Sequence, residues 1–306
     1  MKKTLMLVIG FLMLLCPCLQ AGEIERIKEK GEIIVSLNKG YVPFCIDAKG
    51  ELTGLDVDLA KLIGQYLGVK VKFLIPESYS DQIPKLLAGE SDIIIAAMTR
   101  TIERGLEVDF TEPYYEISQA ALVKRGLVKP EDESYFDLVG IKGIRIGVRQ
   151  KTTVEKFARE LFPPEAIKTY PGHPEAVAAL LKGEVDATVH DSPFVQMWAS
   201  SHPDMSLKIK PLLAPVTKES YGFAIRKGDP EFLTWLNLFI AQVQADGTMD
   251  LLKYRYFVEM PWLGPKSGKE AEMTKAQLMR NNFIAKKQER LETMRKEEPV
   301  KEGFPQ

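Results

Sequence analysis

The chain has 306 residues, 45% of them hydrophobic and 27% charged, with 41 basic against 42 acidic side chains. That length allows one large or two medium domains with a sizeable core, and the near-balanced charge argues against the clustered basic surface that nucleic-acid binding favours. The three histidines, His173, His190 and His202, show no metal-ligand spacing, and no glycine-rich phosphate loop is present.

Lys2 and Lys3 precede an apolar run from Leu5 to Leu15, followed by Cys16-Pro17-Cys18-Leu19-Gln20-Ala21. This is the layout of a secretory signal peptide over residues 1–21, with cleavage expected between Ala21 and Gly22. The run is too short to span a bilayer, which needs about 20 apolar residues. Lipid attachment at Cys16 or Cys18 is the weaker alternative, because Leu15 and Pro17 stand where a small residue is wanted. Removal of the leader leaves 39 basic against 42 acidic residues and one cysteine, Cys45. No intramolecular disulfide can then form, and Cys45 is expected as a small buried hydrophobe.

Glu32 to Leu37 is apolar and β-branched enough for a first strand. Asp56 to Leu67 follows as a helix, with Leu59, Leu62, Ile63, Tyr66 and Leu67 at helical spacing and Gly68 as its stop. Val69 to Ile75 reads as a second strand. A short helix then runs to Gly89, with Pro84 in its first turn. Ile93 to Ile95 is a third, buried strand. This β-α-β-α-β order predicts a parallel sheet with helices on both faces.

Tyr114 to Lys124 is a long extended stretch, and Tyr135 to Gly143 is a turn region. A second β-α-β-α-β series starts at Ile144, with helices over 153–161 and 175–181 and a strand over 185–189. Tyr221 to Arg226 is extended again, and helices are predicted over 230–245 and 249–257. The extended segments near 118 and 222 are candidate crossovers, and two shared strands would make a hinge. The expected divisions are 22–118 and 222–262 for a first lobe, 119–221 for a second, and 263–306 for a charged tail. That tail holds ten basic and seven acidic residues and a weak amphipathic stripe.

One phrase occurs twice. Leu86-Leu87-Ala88-Gly89-Glu90-Ser91-Asp92 returns 94 residues later as Leu180-Leu181-Lys182-Gly183-Glu184-Val185-Asp186. Each copy reads as a helix end, a glycine stop and a buried strand. The residues just past the strands are Thr99 and Arg104 in one copy, His190 and Asp191 in the other. Ligands of open α/β sheets sit beyond the carboxyl ends of strands. A cation and an anion on opposite walls of one cleft would suit a zwitterion.

Gly54-Leu55-Asp56-Val57-Asp58-Leu59-Ala60-Lys61-Leu62-Ile63 and Met98-Thr99-Arg100-Thr101-Ile102-Glu103-Arg104 are distinctive, as is Val108-Asp109-Phe110-Thr111-Glu112-Pro113-Tyr114. With Ile146 to Thr153 and Asp186 to Asp191, they make the chain resemble bacterial extracellular solute-binding proteins of family 3 from about residue 24 to 260. The resemblance implies a two-lobed α/β fold of the type II periplasmic-binding-protein kind. It also implies a periplasmic, monomeric protein that captures an amino acid without a cofactor and hands it to an ABC permease.

By that resemblance, Arg104 grips the ligand α-carboxylate through its guanidinium fork. Thr99 adds its hydroxyl and N–H, and Ala97 offers a carbonyl to the ammonium. Asp191 pairs with the ammonium; plain helix capping is its alternative role. Thr152 and Thr153 open a helix whose N-terminus receives the carboxylate, unless they simply cap it. Tyr79 packs over the ligand, and Tyr41 faces the same space from a loop.

Three departures bear on ligand choice. Asn38 stands where binders of cationic amino acids carry an acid. Arg149 and Lys151 lie in the second-lobe loop, although charges near loops often face solvent. His173 precedes Asp191 by the spacing that some acidic-ligand members use. The expected ligand is therefore polar or acidic, such as glutamate, aspartate or glutamine. The alternative is a cyclohexadienyl-type dehydratase in the same cleft, with Asp191, Glu112 or His190 as the acid or base.

Overall fold

The computed structural model describes residues 22–48 and 50–263. These fall in two compact units that divide after Gln242. The leader expected over residues 1–21 and the tail beyond residue 263, with its predicted amphipathic stripe, lie outside the described residues.

The first unit opens with helix α1 (Glu23–Lys30), which the sequence reading did not locate, and strand β1 (Glu32–Ser36). A hairpin of β2 (Ile46–Ala48) and β3 (Glu51–Thr53) leads into α2 (Leu55–Leu67) and β4 (Lys70–Leu74). Then come α3 (Gln82–Leu87), β5 (Ile93–Ile94), α4 (Ile102–Gly105) and β6 (Asp109–Phe110). The entry to α2 needs glycine: Gly54 has φ +135, and a Cβ there would lie 2.2 Å from the Phe44 carbonyl oxygen. Within α2, Leu59, Ile63 and Leu67 are buried as their spacing predicts, whereas Tyr66 is 55% exposed and packs edge-to-face with Phe239.

The chain then crosses through β7 (Tyr115–Ile117) into a second sheet built from β8 (Gln119–Lys124), β9 (Ile146–Arg149), β10 (Ile167–Tyr170), β11 (Ala187–Asp191) and β12 (Ile209–Leu212). Its helices are α5 (Thr153–Leu161), α6 (His173–Lys182) and α7 (Ser192–Ser201). The return passes through β13 (Glu219–Tyr221) to β14 (Ala224–Ile225) and α8 (Pro230–Ala245).

The two sheets share one plan. Their orders are β4-β1-β5-β14-β6 and β10-β9-β11-β8-β12. Each has three parallel strands in the order second, first, third, then an antiparallel strand from a crossover, β14 against β5 and β8 against β11. The strand that follows each copy of the repeated phrase is therefore the central strand of its sheet. Gly89 and Gly183 take left-handed φ values of +74 and +80 at the helix ends, as a glycine stop requires. The repeated aspartates share a task too. Asp92 accepts from the Ile34 N–H at 2.7 Å and pairs with Arg26. Asp186 accepts from the Arg145 N–H at 3.1 Å, and from the Arg145 guanidinium and the Lys124 ammonium, each at 2.7 Å.

The long stretch 114–124 is not one strand. It breaks at Ser118, whose hydroxyl accepts from Val216 N–H at 2.9 Å and whose carbonyl accepts from Ser192 N–H at 2.7 Å. Its first part, β7, pairs antiparallel with β13, Tyr115 opposite Tyr221 and Ile117 opposite Glu219. The stretch predicted over 221–226 likewise begins earlier, at Glu219, and breaks at Gly222 and Phe223. Two paired crossover strands thus connect the sheets. Apolar side chains fill each lobe: Leu86, Ile94, Met98 and Ala224 in the first, Tyr135, Ile146, Val148 and Leu212 in the second. Cys45 is fully buried, and that burial pushes its thiol up to about 12, so it packs as a hydrophobe.

In the second unit, α9 (Thr248–Tyr254) runs into a π-helical turn over Arg255–Glu259 rather than continuing as one helix to Phe257. The Tyr256 ring stacks on Trp262 at 6.3 Å. No helix among the described residues is long and apolar enough to cross a membrane.

Candidate functional site

β5 ends in the first lobe's core, and the chain turns sharply beyond it. Ala97 takes φ +47, a conformation that a non-glycine residue holds only when its surroundings enforce it. The enforcing group is Asp56, in the first turn of α2. Its carboxylate accepts from the Ala97 N–H and from the Tyr114 hydroxyl, both at 2.8 Å. Burial pushes the Asp56 carboxyl up to about 7. Thr99 follows, buried and bridged to Tyr221. Thr101 caps α4, and Arg104 within it folds its guanidinium back to donate to the Thr99 carbonyl at 2.7 Å.

The second lobe supplies the opposite wall. β9 ends at Arg149, and Lys151 turns the chain with φ +58 into α5. Thr152 is the cap of that helix: its hydroxyl donates to the Arg149 carbonyl at 2.7 Å and accepts from Glu155 N–H at 3.2 Å. Thr153 is therefore the threonine left free of capping. Asp191 ends β11 and stands at the N-cap of α7 without making a side-chain cap bond. Its Oδ2 accepts from Tyr221 at 2.5 Å and lies 3.3 Å from the Tyr41 hydroxyl. Its Oδ1 is buried with no partner. Burial, above all else, pushes this carboxyl up to about 6.

These side chains meet in one cavity of about 20 Å³. The first lobe contributes Asn38, Tyr41, Tyr79, Ala97, Thr99 and Arg104 to its lining. The second contributes Thr152, Thr153, His173 and Asp191, together with Arg149 and Val154. All ten positions singled out in the sequence as ligand contacts are thus brought together. His190 is not in the lining; it is buried behind it, its ring 4.4 Å from Phe194. Glu112 is exposed elsewhere, its N–H bonded to Asn237. Lys151 is exposed and outside the lining, so it adds no charge to the cavity wall.

Arg149 behaves oppositely to Lys151. Its guanidinium lies 4.7 Å from the Tyr79 ring centroid, with the Arg104 guanidinium 5.8 Å from the same ring. Both terminal nitrogens of Arg149 donate to Asn38 Oδ1 at 3.3 Å, and its Nε is buried without a partner. Burial lowers its pKa, yet an arginine remains a cation. One of these nitrogens is also 3.5 Å from His173 Nε2. Arginine can only donate, so that histidine nitrogen accepts and the His173 proton sits on Nδ1. It then donates to His190 Nδ1 at 2.7 Å, which leaves the second proton on the unpartnered His190 Nε2. Burial pushes His190 down to about 3 and His173 well below its usual value, so the pair is neutral. The cavity wall therefore carries two cations and one carboxyl. Among the described residues no three His, Cys, Asp or Glu side chains are grouped to hold a metal.

The model of the bacterial extracellular solute-binding proteins, family 3, matches residues 33–259. The chain belongs to this family. A glutamine-binding protein of an ABC transporter from Bacillus subtilis (strain 168) is 32% identical over 216 residues, 70% of this chain and 76% of that one. A putative binding component of an ABC transporter from Wolinella succinogenes DSM 1740, solved with lysine, is 39% identical. It superposes with a TM-score of 0.72 over 77% of this chain and all of that one. An ancestral amino acid-binding protein, described as a precursor of cyclohexadienyl dehydratase, is 36% identical with a TM-score of 0.68 over 78% of this chain and all of that one. The fold is the two-lobed type II periplasmic-binding-protein fold, with β7 and β13 as its hinge strands.

The sequence marks Arg149 and Lys151 together as charges that bear on ligand choice, without separating the enclosed one from the exposed one, and it does not reach Tyr221 or the role of Asp56. Arg149 had one usable signal: it is the last residue of a strand that runs directly into the helix opened by Thr152.

Proposed function

We propose that this protein captures a polar or acidic L-amino acid by hinge closure and delivers it to an ABC permease. Residues 1–21 would direct it to the periplasm, where it acts as a monomer and without chemistry on the ligand. Residues 22–118 and 222–262 form one lobe and 119–221 the other. The α-carboxylate lies against Arg104, Thr99 and the N-terminus of α5. The ammonium meets Asp191 Oδ1 and the Ala97 carbonyl, and Tyr79 and Tyr41 pack against the ligand body.

The observation that carries the preference is Arg149: a second guanidinium, enclosed in the cavity and held loosely by Asn38 rather than by an acid. A lysine or arginine side chain would meet a like charge there. A carboxylate or amide oxygen would satisfy the unpartnered donor. A cavity of about 20 Å³ has room for on the order of one water, so the lobes must part to admit any amino acid.

Thermal unfolding tests this reading. The chain from Gly22, unfolded and refolded to strip bound ligand, is heated with each of the twenty amino acids. A ligand at 100 times its Kd stabilises by about 2.7 kcal/mol, which moves the midpoint by a few degrees. Glutamate, aspartate or glutamine should give that shift, and Arg104→Ala should abolish it. If no amino acid shifts the midpoint, the reading fails, and prephenate and arogenate become the substrates to try.

A further inference from the structure

Tyr221 is fully buried and does not line the cavity, yet it connects the parts that do. Its backbone belongs to the hinge: it pairs with Tyr115 across β7 and β13, and its carbonyl accepts from Tyr114 N–H at 3.0 Å. It also bridges Thr99, in the loop that receives the Arg104 guanidinium. The Tyr221 ring packs edge-to-face with Phe44, their centroids 5.4 Å apart. The Tyr221 hydroxyl reaches Asp191 Oδ2 at 2.5 Å.

Tyr41, from a first-lobe loop, sits 2.8 Å from the Tyr221 oxygen and 3.3 Å from Asp191. Each phenol has one proton. Tyr221 gives its proton to the carboxylate, so Tyr41 gives its own to the nearer acceptor, Tyr221. The result is a chain from Tyr41 to Tyr221 to Asp191, in which the first bond polarises the second.

We propose that Tyr221 is a positioning residue of the amino-acid site: its hydroxyl holds one oxygen of Asp191, and so aims the other at the ligand ammonium when the lobes close. The inference rests on the proposed function for its ligand, but not for its geometry. Oδ2 accepts the Tyr221 proton, and Oδ1 is the buried oxygen with no partner. The charged and titratable groups facing Asp191 are Arg104, Arg149, Glu219, Tyr41, Tyr79 and Tyr221. The bond from Tyr221 favours the charged form of Asp191.

The test is Tyr221→Phe, which keeps the ring and removes the hydroxyl. The first readout needs no ligand: the Asp191 carboxyl carbon is followed by NMR against pH in the aspartate-labelled protein, with Asp191→Asn to assign the signal. Loss of the hydroxyl should raise the titration midpoint by about one pH unit. The second readout is the Kd for L-glutamate from pH 5 to 8. Its weakening at acid pH should begin about one unit higher in the variant, with about a tenfold loss near pH 6. An unmoved NMR midpoint overturns the proposal, whatever binds. A uniform loss of affinity at every pH, with the limb in place, also overturns it and assigns Tyr221 to packing alone. If glutamate, aspartate and glutamine all fail to bind the wild type while the midpoint still moves, the ligand reading falls and the positioning role stands.

Discussion

At Asp191, burial holds the carboxyl near 6, where an unburied aspartate titrates near 3.8. Because the folded value is raised, the fold binds this proton more tightly than the unfolded chain does. Stability contributed by the group is full below about pH 4 and declines as pH rises through about 6. The shift corresponds to about 3 kcal/mol against the charged, ligand-free fold. Asp191→Asn should therefore raise the midpoint of the ligand-free protein at pH 7 while abolishing amino-acid binding, and the gain should vanish near pH 4. In the wild type, affinity should be flat above about pH 7 and fall up to tenfold per unit below about 6. Calorimetric titrations across that range, beside melts of both proteins, check the pair; a variant less stable at pH 7 would contradict it. The Asp191 position was legible because it ends a repeated strand next to a helix start. What its carboxylate faces was not, since Tyr221 is 30 residues away and only the hinge pairing brings it there. Arg149 and Lys151 show the same limit: both are charged and two residues apart, yet one is enclosed and one exposed.

The repeated segments were the most legible elements, because a glycine stop and a run of apolar residues are local signals. The aspartate in each was visible as a repeat but not as a device. Its carboxylate anchors the neighbouring strand by accepting a backbone N–H, which depends on sheet order. The Arg145 fork and Lys124 hold the Asp186 carboxyl well below the usual range. Its stabilising contribution is thus present above about pH 4 and lost as the medium becomes acidic enough to protonate it in the fold. Asp186→Asn should lower the melting midpoint at pH 7, and the gap to wild type should close toward pH 2. A gap independent of pH would show that the ion pairs contribute nothing. Short strands such as β6 and β10 escaped the sequence reading, as did the breaks at Ser118 and Gly222. Two to four residues carry too little periodicity, and those breaks are set by tertiary hydrogen bonds.

Across the whole described chain, two sheets of one plan face a single cavity, and paired crossover strands connect them. That plan followed from the order of elements, because parallel strands joined by helices leave few topologies. The preference for a particular amino acid did not, since it turns on where two or three side chains point. Family membership does not decide it either: the relatives compared include a glutamine-binding protein and a structure holding lysine. The central claim is a zwitterion held between Arg104 and Asp191, with Arg149 selecting its side chain. The direct measurement is isothermal titration of the ligand-stripped chain with glutamate, aspartate, glutamine, lysine and arginine. Micromolar binding of one or more of the first three, about −8 kcal/mol, with none for lysine and arginine, is the predicted result. Tight binding of lysine or arginine with none of the other three would contradict it.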